Sequence, residues 1–291
     1  MRLSLVIATH NEEENMRDCI LSCKNIADEI IAVDGSSTDK TVEIARKLGA
    51  KVVITDNHSM FHFNKQKAID LATGDWILQL DADERVSPEL AREIKQIIQM
   101  TNQEINIYQQ NLPDKDLFER HQNLNVHSTL DPRPSTINAF YIPRLNYFLG
   151  KYLRYGGVYP DGVIRLFRRG KAHLPCKSVH ELMEVDGKTG WLQNPLLHYD
   201  SPTFKRYLER NNRYVDHLTL NINSQMSKKN LLQKIIFAVN WILVKPIWWF
   251  LMTTFRHKGI LDGWQGVVFS FFSALRFPRA YLRYMFKKIN D

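Results

Sequence analysis

Only three of the 291 residues are cysteine, too few for a disulfide scaffold. Cys19 and Cys23 stand four apart, which suits two buried positions on one helix better than a metal clip. A reducing, cytosolic setting fits that usage. A secretory leader is also missing, because the apolar run Leu3–Ala8 is too short for one and no small-residue cleavage site follows it. No internal repeat is present. Acidic residues nearly vanish from the last third: residues 201–291 hold 15 Lys/Arg and 4 Asp/Glu, net +11, whereas residues 1–200 hold 24 and 27, net −3. A basic tail behind a nearly neutral body points to an anionic surface, either nucleic acid or the cytoplasmic membrane face. The tail's aromatics cluster in apolar runs instead of interleaving with exposed stacking positions, which argues against nucleic acid.

The first hundred residues alternate short apolar runs with amphipathic stretches. Leu3–Ala8, Glu29–Val33, Lys51–Ile54 and Trp76–Leu80 read as strands. Glu12–Ala27, Asp39–Leu48, Asn64–Ala72 and a stretch opening at Pro88 read as helices. Ser87 suits the N-cap before Pro88. Gly49 and Gly74 fall just past helix ends, where a left-handed cap wants glycine. Repeated βα units imply an α/β fold with a mostly parallel sheet covered on both faces. Leu112–Ser135 is polar, rich in Pro and Asn, and reads as a long loop. Ile137–Ile142 and Val163–Phe167 continue the sheet to about Asp200.

Asp81-Ala82-Asp83 directly follows the strand Trp76–Leu80. In an open parallel sheet ligands sit outside the carboxyl ends of the strands, where both carboxylates project. A pair of hard oxygen ligands suits Mg²⁺ or Mn²⁺, which bridge to a diphosphate. The alternative is an acidic loop capping the next helix. Asp34 ends the second strand and opens Asp34-Gly35-Ser36-Ser37-Thr38-Asp39, a turn that lets a ligand approach the backbone closely. Its carboxylate can accept a hydrogen bond from a base or ribose; the plain reading is a strand–turn–helix junction. Thr9 to Glu12 end the first strand in the same way, so three strand ends carry acidic or hydroxyl groups at one rim. Lys65 and Lys67, near the start of the third helix, suit either phosphate contact or a solvated face.

Ser4–Glu12, Val33–Asp39 and Gly74–Glu84, in this order and spacing, resemble glycosyltransferase family 2. Tyr159–Arg169, the pair His180-Glu181 and Gly259–Gly266 carry a closer likeness to bacterial lipopolysaccharide-core enzymes. The resemblance covers the chain apart from about Leu112–Ser135. It implies a GT-A type fold, a nucleotide-diphosphate-sugar donor and an inverting displacement onto a hydroxyl of a lipid-linked or lipopolysaccharide-core glycan. By that likeness Thr9, Glu12 and Asp34 hold the nucleoside, Lys67 helps, and Asp83 ligates the metal with Asp81 nearby. Direct displacement requires the acceptor hydroxyl to lose its proton to a positioned carboxylate. The likeness makes Glu181 that base, with His180 orienting it or reaching the metal, and Asp161 as the rival. Arg165, Arg168 and Arg169 either offset diphosphate charge or form a basic strand edge. Ala8, His10 and Gly35-Ser36 depart from the residues common in relatives, which bears on base and sugar identity and leaves the fold untouched.

This reading divides the chain into a catalytic domain over 1–200, with a donor half 1–110 and an acceptor half 111–200, and a basic, aromatic helical region over 201–291. Ile235–Phe255 is long enough to span a bilayer, yet Lys245-Pro246 sits centrally, where charge and proline are both unfavourable. Helices lying in the interface on the cytoplasmic face of the inner membrane fit better, backed by Arg276, Arg279, Arg283, Lys287 and Lys288 against anionic lipid. The alternative is a soluble appendage that packs its aromatics on the body. A sugar-phosphate nucleotidyltransferase would want a glycine-rich, basic loop after the first strand, where this chain has Asn11–Glu14.

Overall fold

The computed structural model describes residues 1–58, 60–125, 136–177, 182–226 and 229–290. They form two compact units, Met1–Leu145 with Pro160–His198, and Asn146–Tyr159 with Tyr199–Asp291.

The first unit opens with β1 (Leu3–Thr9), α1 (Glu13–Cys23), β2 (Glu29–Asp34), α2 (Thr41–Lys47), β3 (Lys51–Ile54), α3 (His62–Asp70) and β4 (Trp76–Asp81). These four strands pair in parallel in the order β3-β2-β1-β4. Both faces are covered, as near-continuous apolar strands require. Leu3, Leu5 and Ile7 pack on one face against Met16, Cys19, Ile20 and Cys23 of α1. Val6, Ile31 and Val33 pack on the other against Ala68 and Ile69 of α3. Cys19 and Cys23 are both fully buried, the role their spacing predicts.

The sheet continues with β5 (Glu84–Val86), β6 (Ile137–Phe148), β7 (Lys151–Leu153), β8 (Asp161–Arg168), the two-residue β9 (Ala172–His173) and β10 (Glu184–Val185), β11 (Lys188–Trp191) and β12 (Leu196–Ser201). Beyond β4 the order runs β8-β6-β12-β5, so the α/β sheet is mixed: β8 is antiparallel to both β4 and β6.

Helix ends follow their local chemistry. Ser87 caps α4 (Pro88–Ile97), its hydroxyl accepting the Leu90 N–H at 3.2 Å. Thr101 and Glu104 form a capping box at the start of α5 (Asn102–Gln110). Gly49 is left-handed, with φ 91°, as its place after α2 predicts. Gly74 does something else. A Cβ there would stand 2.6 Å from Ser4 Oγ and 2.9 Å from Ser4 N, so glycine is needed for close approach of β1. The expected loop over Leu112–Ser135 contains a helix, α6 (Lys115–Asn125). Its ordering contact is Phe118, fully buried and stacked on Trp191 at 4.6 Å; a single aromatic in a polar stretch left no periodic signal.

The second unit is helical, with α7 (Phe204–Met226), α8 (Leu231–Val239), α9 (Lys245–Leu251) and α10 (Trp264–Asn290). Leu231–Arg256 is one continuous helix because π-helical turns, Asn240–Val244 and Met252–Arg256, flank α9. Pro246 sits just after the first of these π-helical turns, where the register of the helix hydrogen bonds changes. The turn into α10 is tight: a Cβ on Gly266 would lie 2.0 Å from Gly259 O. Buried Asp262 holds that turn by accepting the backbone N–H groups of Arg154 (3.0 Å) and Tyr155 (2.8 Å).

Candidate active site at the strand ends

In the first unit β1, β2 and β4 end at one rim. The register sets Thr9 opposite Asp34, and Ala8 opposite Asp81. Thr9 is buried and its hydroxyl oxygen makes no hydrogen bond, an arrangement that calls for a ligand or a water. Asp34 is buried, and its carboxylate accepts the Ser37 N–H at 2.7 Å and the Ser37 hydroxyl at 2.5 Å. Asn11 (φ 53°) and Ser36 (φ 58°) both take the left-handed conformation. That bends the two loops together, so Asn11 Oδ1 accepts the Thr38 N–H at 2.8 Å and Ser37 Oγ accepts the Asn11 N–H at 2.8 Å. Such backbone concentrates at functional sites. Glu12 immediately precedes α1; its N–H donates to Thr41 Oγ1 at 2.7 Å and its carboxylate accepts from Asn15 Nδ2 at 2.7 Å.

Lys67 is exposed on α3. Lys65 is the lysine that reaches the acidic motif, its Nζ 2.5 Å from Asp81 Oδ1. From there a row of alternating charges crosses the unit. Asp81 Oδ2 lies 2.5 Å from Arg165 Nη2, which also donates to Glu84 Oε1 at 2.8 Å. Glu84 is fully buried and stands 3.4 Å from Arg144 Nη1, and Arg144 Nη2 reaches Asp161 Oδ2 at 2.7 Å. Glu84 Oε2 further accepts the Asp81 N–H at 2.9 Å, and Gln79 Oε1 accepts from Arg165 Nη1 at 2.5 Å. Desolvation pushes the Asp81 pKa up, but Arg165 and then Lys65 outweigh it and hold the carboxyl well below the usual range. Buried charges in this row are paired and hydrogen-bonded, as they must be.

Asp83 sits 3.5 Å from Nε2 of His198, a buried residue of β12. His180 and Glu181 lie outside the described residues. Asp161 opens β8 in register with Arg144 of β6. Beside it the Gly162 N–H donates to His121 Nε2 at 3.3 Å, and a Cβ on Gly162 would stand 2.2 Å from the Trp191 ring. That ring is stacked with both Phe118 and Tyr141. Arg168 and Arg169 belong to the other end of β8. Arg168 lies over Trp76, the first residue of β4, and Arg169 Nε donates to Gly74 O at 2.9 Å. Because β8 runs antiparallel to β4, only Arg165 of the three arginines meets the acidic motif.

A cavity of about 130 Å³ is lined by His62, Lys65, Gln79, Tyr141 and Arg165. A larger one, about 410 Å³, lies against α5, α6 and β11 and includes none of these charged residues. Asp81 and Asp83 offer two hard oxygen donors, and among the described residues no group of three or more ligand-type side chains assembles. That donor set fits a Mg²⁺ or Mn²⁺ whose other ligands are substrate phosphates and water.

Residues 4–173 match the sequence model of Glycosyl transferase family 2. A protein described as an uncharacterized glycosyltransferase of Rickettsia bellii is 31% identical over 281 residues, 96% of this chain and 84% of that one. A second, from Rickettsia conorii, is 30% identical over 288 residues, 96% of this chain and 88% of that one. Among solved structures, glucosyl-3-phosphoglycerate synthase from Mycobacterium tuberculosis, in complex with Mn²⁺ and uridine-diphosphate-glucose, is 25% identical over 29% of this chain and 34% of that one, with a TM-score of 0.27.

Proposed function

The chain belongs to glycosyltransferase family 2, and from that premise we propose that it moves a sugar, with inversion, from a nucleotide-diphosphate donor to a hydroxyl of a lipid-linked or lipopolysaccharide-core glycan. The observation that carries this reading is the register that puts Thr9, Asp34 and Asp81 at the carboxyl ends of three adjacent parallel strands. Asp34, oriented by Ser37, accepts a hydrogen bond from the base or ribose, and the unpartnered Thr9 hydroxyl serves the same nucleoside. Glu12 fixes the first loop against α2, and Lys67 offers a cation at the exposed edge of α3. Asp81 and Asp83 hold a divalent cation against the diphosphate, with His180 as a further candidate ligand. Bound there, Mg²⁺ or Mn²⁺ offsets the charge that develops on the leaving diphosphate.

Glu181 takes the proton of the attacking hydroxyl, with Asp161 as the rival base. Asp161 is paired with Arg144, a partner it would have to leave to meet the acceptor hydroxyl.

The helix Leu231–Arg256 is long and apolar enough to cross a membrane, and little of it is buried in the protein. We read it as lying in the cytoplasmic face of the inner membrane. Its one central charge, Lys245, folds over the Trp241 ring at 3.8 Å, so the exposed side presents Leu232, Ile235, Val239, Leu243 and Ile247. Three of the basic residues expected to meet lipid are used inside the second unit instead. Arg276 lies over Trp249, Arg279 donates to Asn211 and Asn212, and Arg283 pairs with Asp216. Apolar contact therefore dominates this attachment. The whole reading is tested by incubating the purified chain with a panel of nucleotide sugars. Hydrolysis of one donor that needs Mg²⁺ or Mn²⁺ is expected; metal-independent or absent hydrolysis across the panel overturns it.

A further inference from the structure

The Asp81 carboxylate is already paired on both oxygens, by Lys65 at 2.5 Å and by Arg165 at 2.5 Å. A divalent cation reaching Asp81 would meet two positive charges within contact distance. Repulsion between charges that close is strong wherever solvent screens poorly. A diphosphate arriving by itself meets the opposite difficulty, since Asp81 and Asp83 are both negative. Lys65, Arg165, Asp81 and Asp83 together sum to zero, so either ligand alone leaves buried charge uncompensated. Arriving together they do not: the metal replaces the two side-chain cations on the carboxylates, and those cations are released to the phosphate oxygens.

The surroundings suit such an exchange. Lys65 and Arg165 both line the 130 Å³ cavity beside Asp81, room for about four waters. The Lys65 ammonium has a second neighbour in the Phe61 ring, 4.9 Å away. Arg165 is buried and held by Glu84 at 2.8 Å and by Gln79 at 2.5 Å, so its guanidinium stays at the cavity wall when the Asp81 contact is given up.

We infer that Lys65 and Arg165 are place-holding cations that block Asp81 to a lone divalent metal and pass to the donor's diphosphate when metal and diphosphate bind together. This deepens the donor-site reading above and rests on it. It makes metal and donor binding mutually dependent, and it gives Lys65 a sign-specific signature. Removing a merely structural lysine weakens every ligand or none. Removing a place-holder strengthens one ligand and weakens the other.

The test uses the full chain with Mn²⁺ alone, inorganic pyrophosphate alone, and the preformed Mn²⁺–pyrophosphate complex. Free Mn²⁺ is read by electron paramagnetic resonance, and pyrophosphate binding by calorimetry. Wild type should bind the complex well and each component poorly. Lys65→Met should tighten Mn²⁺ alone by roughly tenfold and weaken the complex by a similar factor, within the usual range of coupling between sites. Lys65→Arg should restore the wild-type pattern, and Lys65→Gln serves if the methionine variant does not fold. Unchanged or weaker Mn²⁺ binding in the folded variants overturns the place-holder role and leaves the transferase reading standing. Wild type that binds neither the metal nor the complex sinks the metal–diphosphate site itself.

Discussion

Arg144 holds Asp161 in a 2.7 Å ion pair across neighbouring antiparallel strands, at positions directly in register. A carboxylate so held is engaged by a partner other than an acceptor hydroxyl. Glu181→Gln should therefore lower turnover by roughly 10²–10⁴, the usual contribution of a general base, with donor affinity nearly unchanged. Asp161→Asn should cost far less. Steady-state kinetics on both variants decides it: the reverse order of effects makes Asp161 the base.

Asp83→Ala should abolish transfer while leaving the circular dichroism spectrum intact, since its carboxylate is partly exposed beside the motif and stands 3.5 Å from His198 Nε2. Excess chelator should silence the wild type in the same way. Retained activity in either case removes the metal from the mechanism.

Gly162→Ala tests how tightly the start of β8 is packed. A methyl there runs into the Trp191 ring, which is buried and stacked with Phe118 and Tyr141. Overpacking of this kind destabilises by about 1–3 kcal/mol. Thermal unfolding should show a clear fall in Tm, and an unchanged Tm would mean the ring yields.

The rim of strand ends was legible in the sequence because it is local. Thr9, Asp34 and Asp81 each end an apolar run, and alternation of runs with amphipathic stretches gives the parallel order. The row of charges behind it was not. Arg144 on β6 and Glu84 on β5, sixty residues apart with β12 between their strands, meet only through their side chains, and no nearby motif announces it. Lys65 and Lys67 looked equivalent by spacing, and only the helix's rotation separates the one that meets Asp81 from the one that faces solvent. In the tail, counting basic residues overstated the free surface charge because α10 turns two of them, Arg279 and Arg283, toward α7.

Glu29 supplies a pH-dependent clamp at the opposite rim. Desolvation raises its pKa, but hydrogen bonds from Ser4, Thr73 and Gly74 prevail and lower it. A lowered folded-state pKa contributes stability above the unfolded value, about 4.3, and loses it as pH falls through the folded value. Glu29→Gln should therefore be less stable than wild type at pH 7, with the gap closing below about pH 4. Urea titrations at several pH values check this, and a gap that widens in acid contradicts it.

Membrane attachment should resist salt. Vesicles of phosphatidylcholine alone should retain much of the binding seen with added anionic lipid, because Arg279 and Arg283 are occupied within the protein. Replacing Leu243, Ile247 and Leu251, all about half exposed, with serine should release the chain without unfolding it. Truncation is a poorer probe, since Phe148, Leu153 and Tyr207 pack against Val268, Phe269 and Phe272 and would be uncovered. Complete release by salt, or a triple variant that still floats with vesicles, would refute the apolar mode.

The strand order carries a burden for synthesis. β4 is complete at Asp81, but the strand that covers its free edge, β8, begins only at Asp161. At translation rates of about 5–20 residues per second, the edge formed by Trp76, Ile77 and Leu78 waits for several seconds or more with its backbone groups unpaired. An open apolar edge is a template for pairing with another chain. The nascent protein is therefore most prone to aggregate while residues 82–160 are being made, and slowing elongation within that stretch should lower the soluble yield more than slowing it after Arg168.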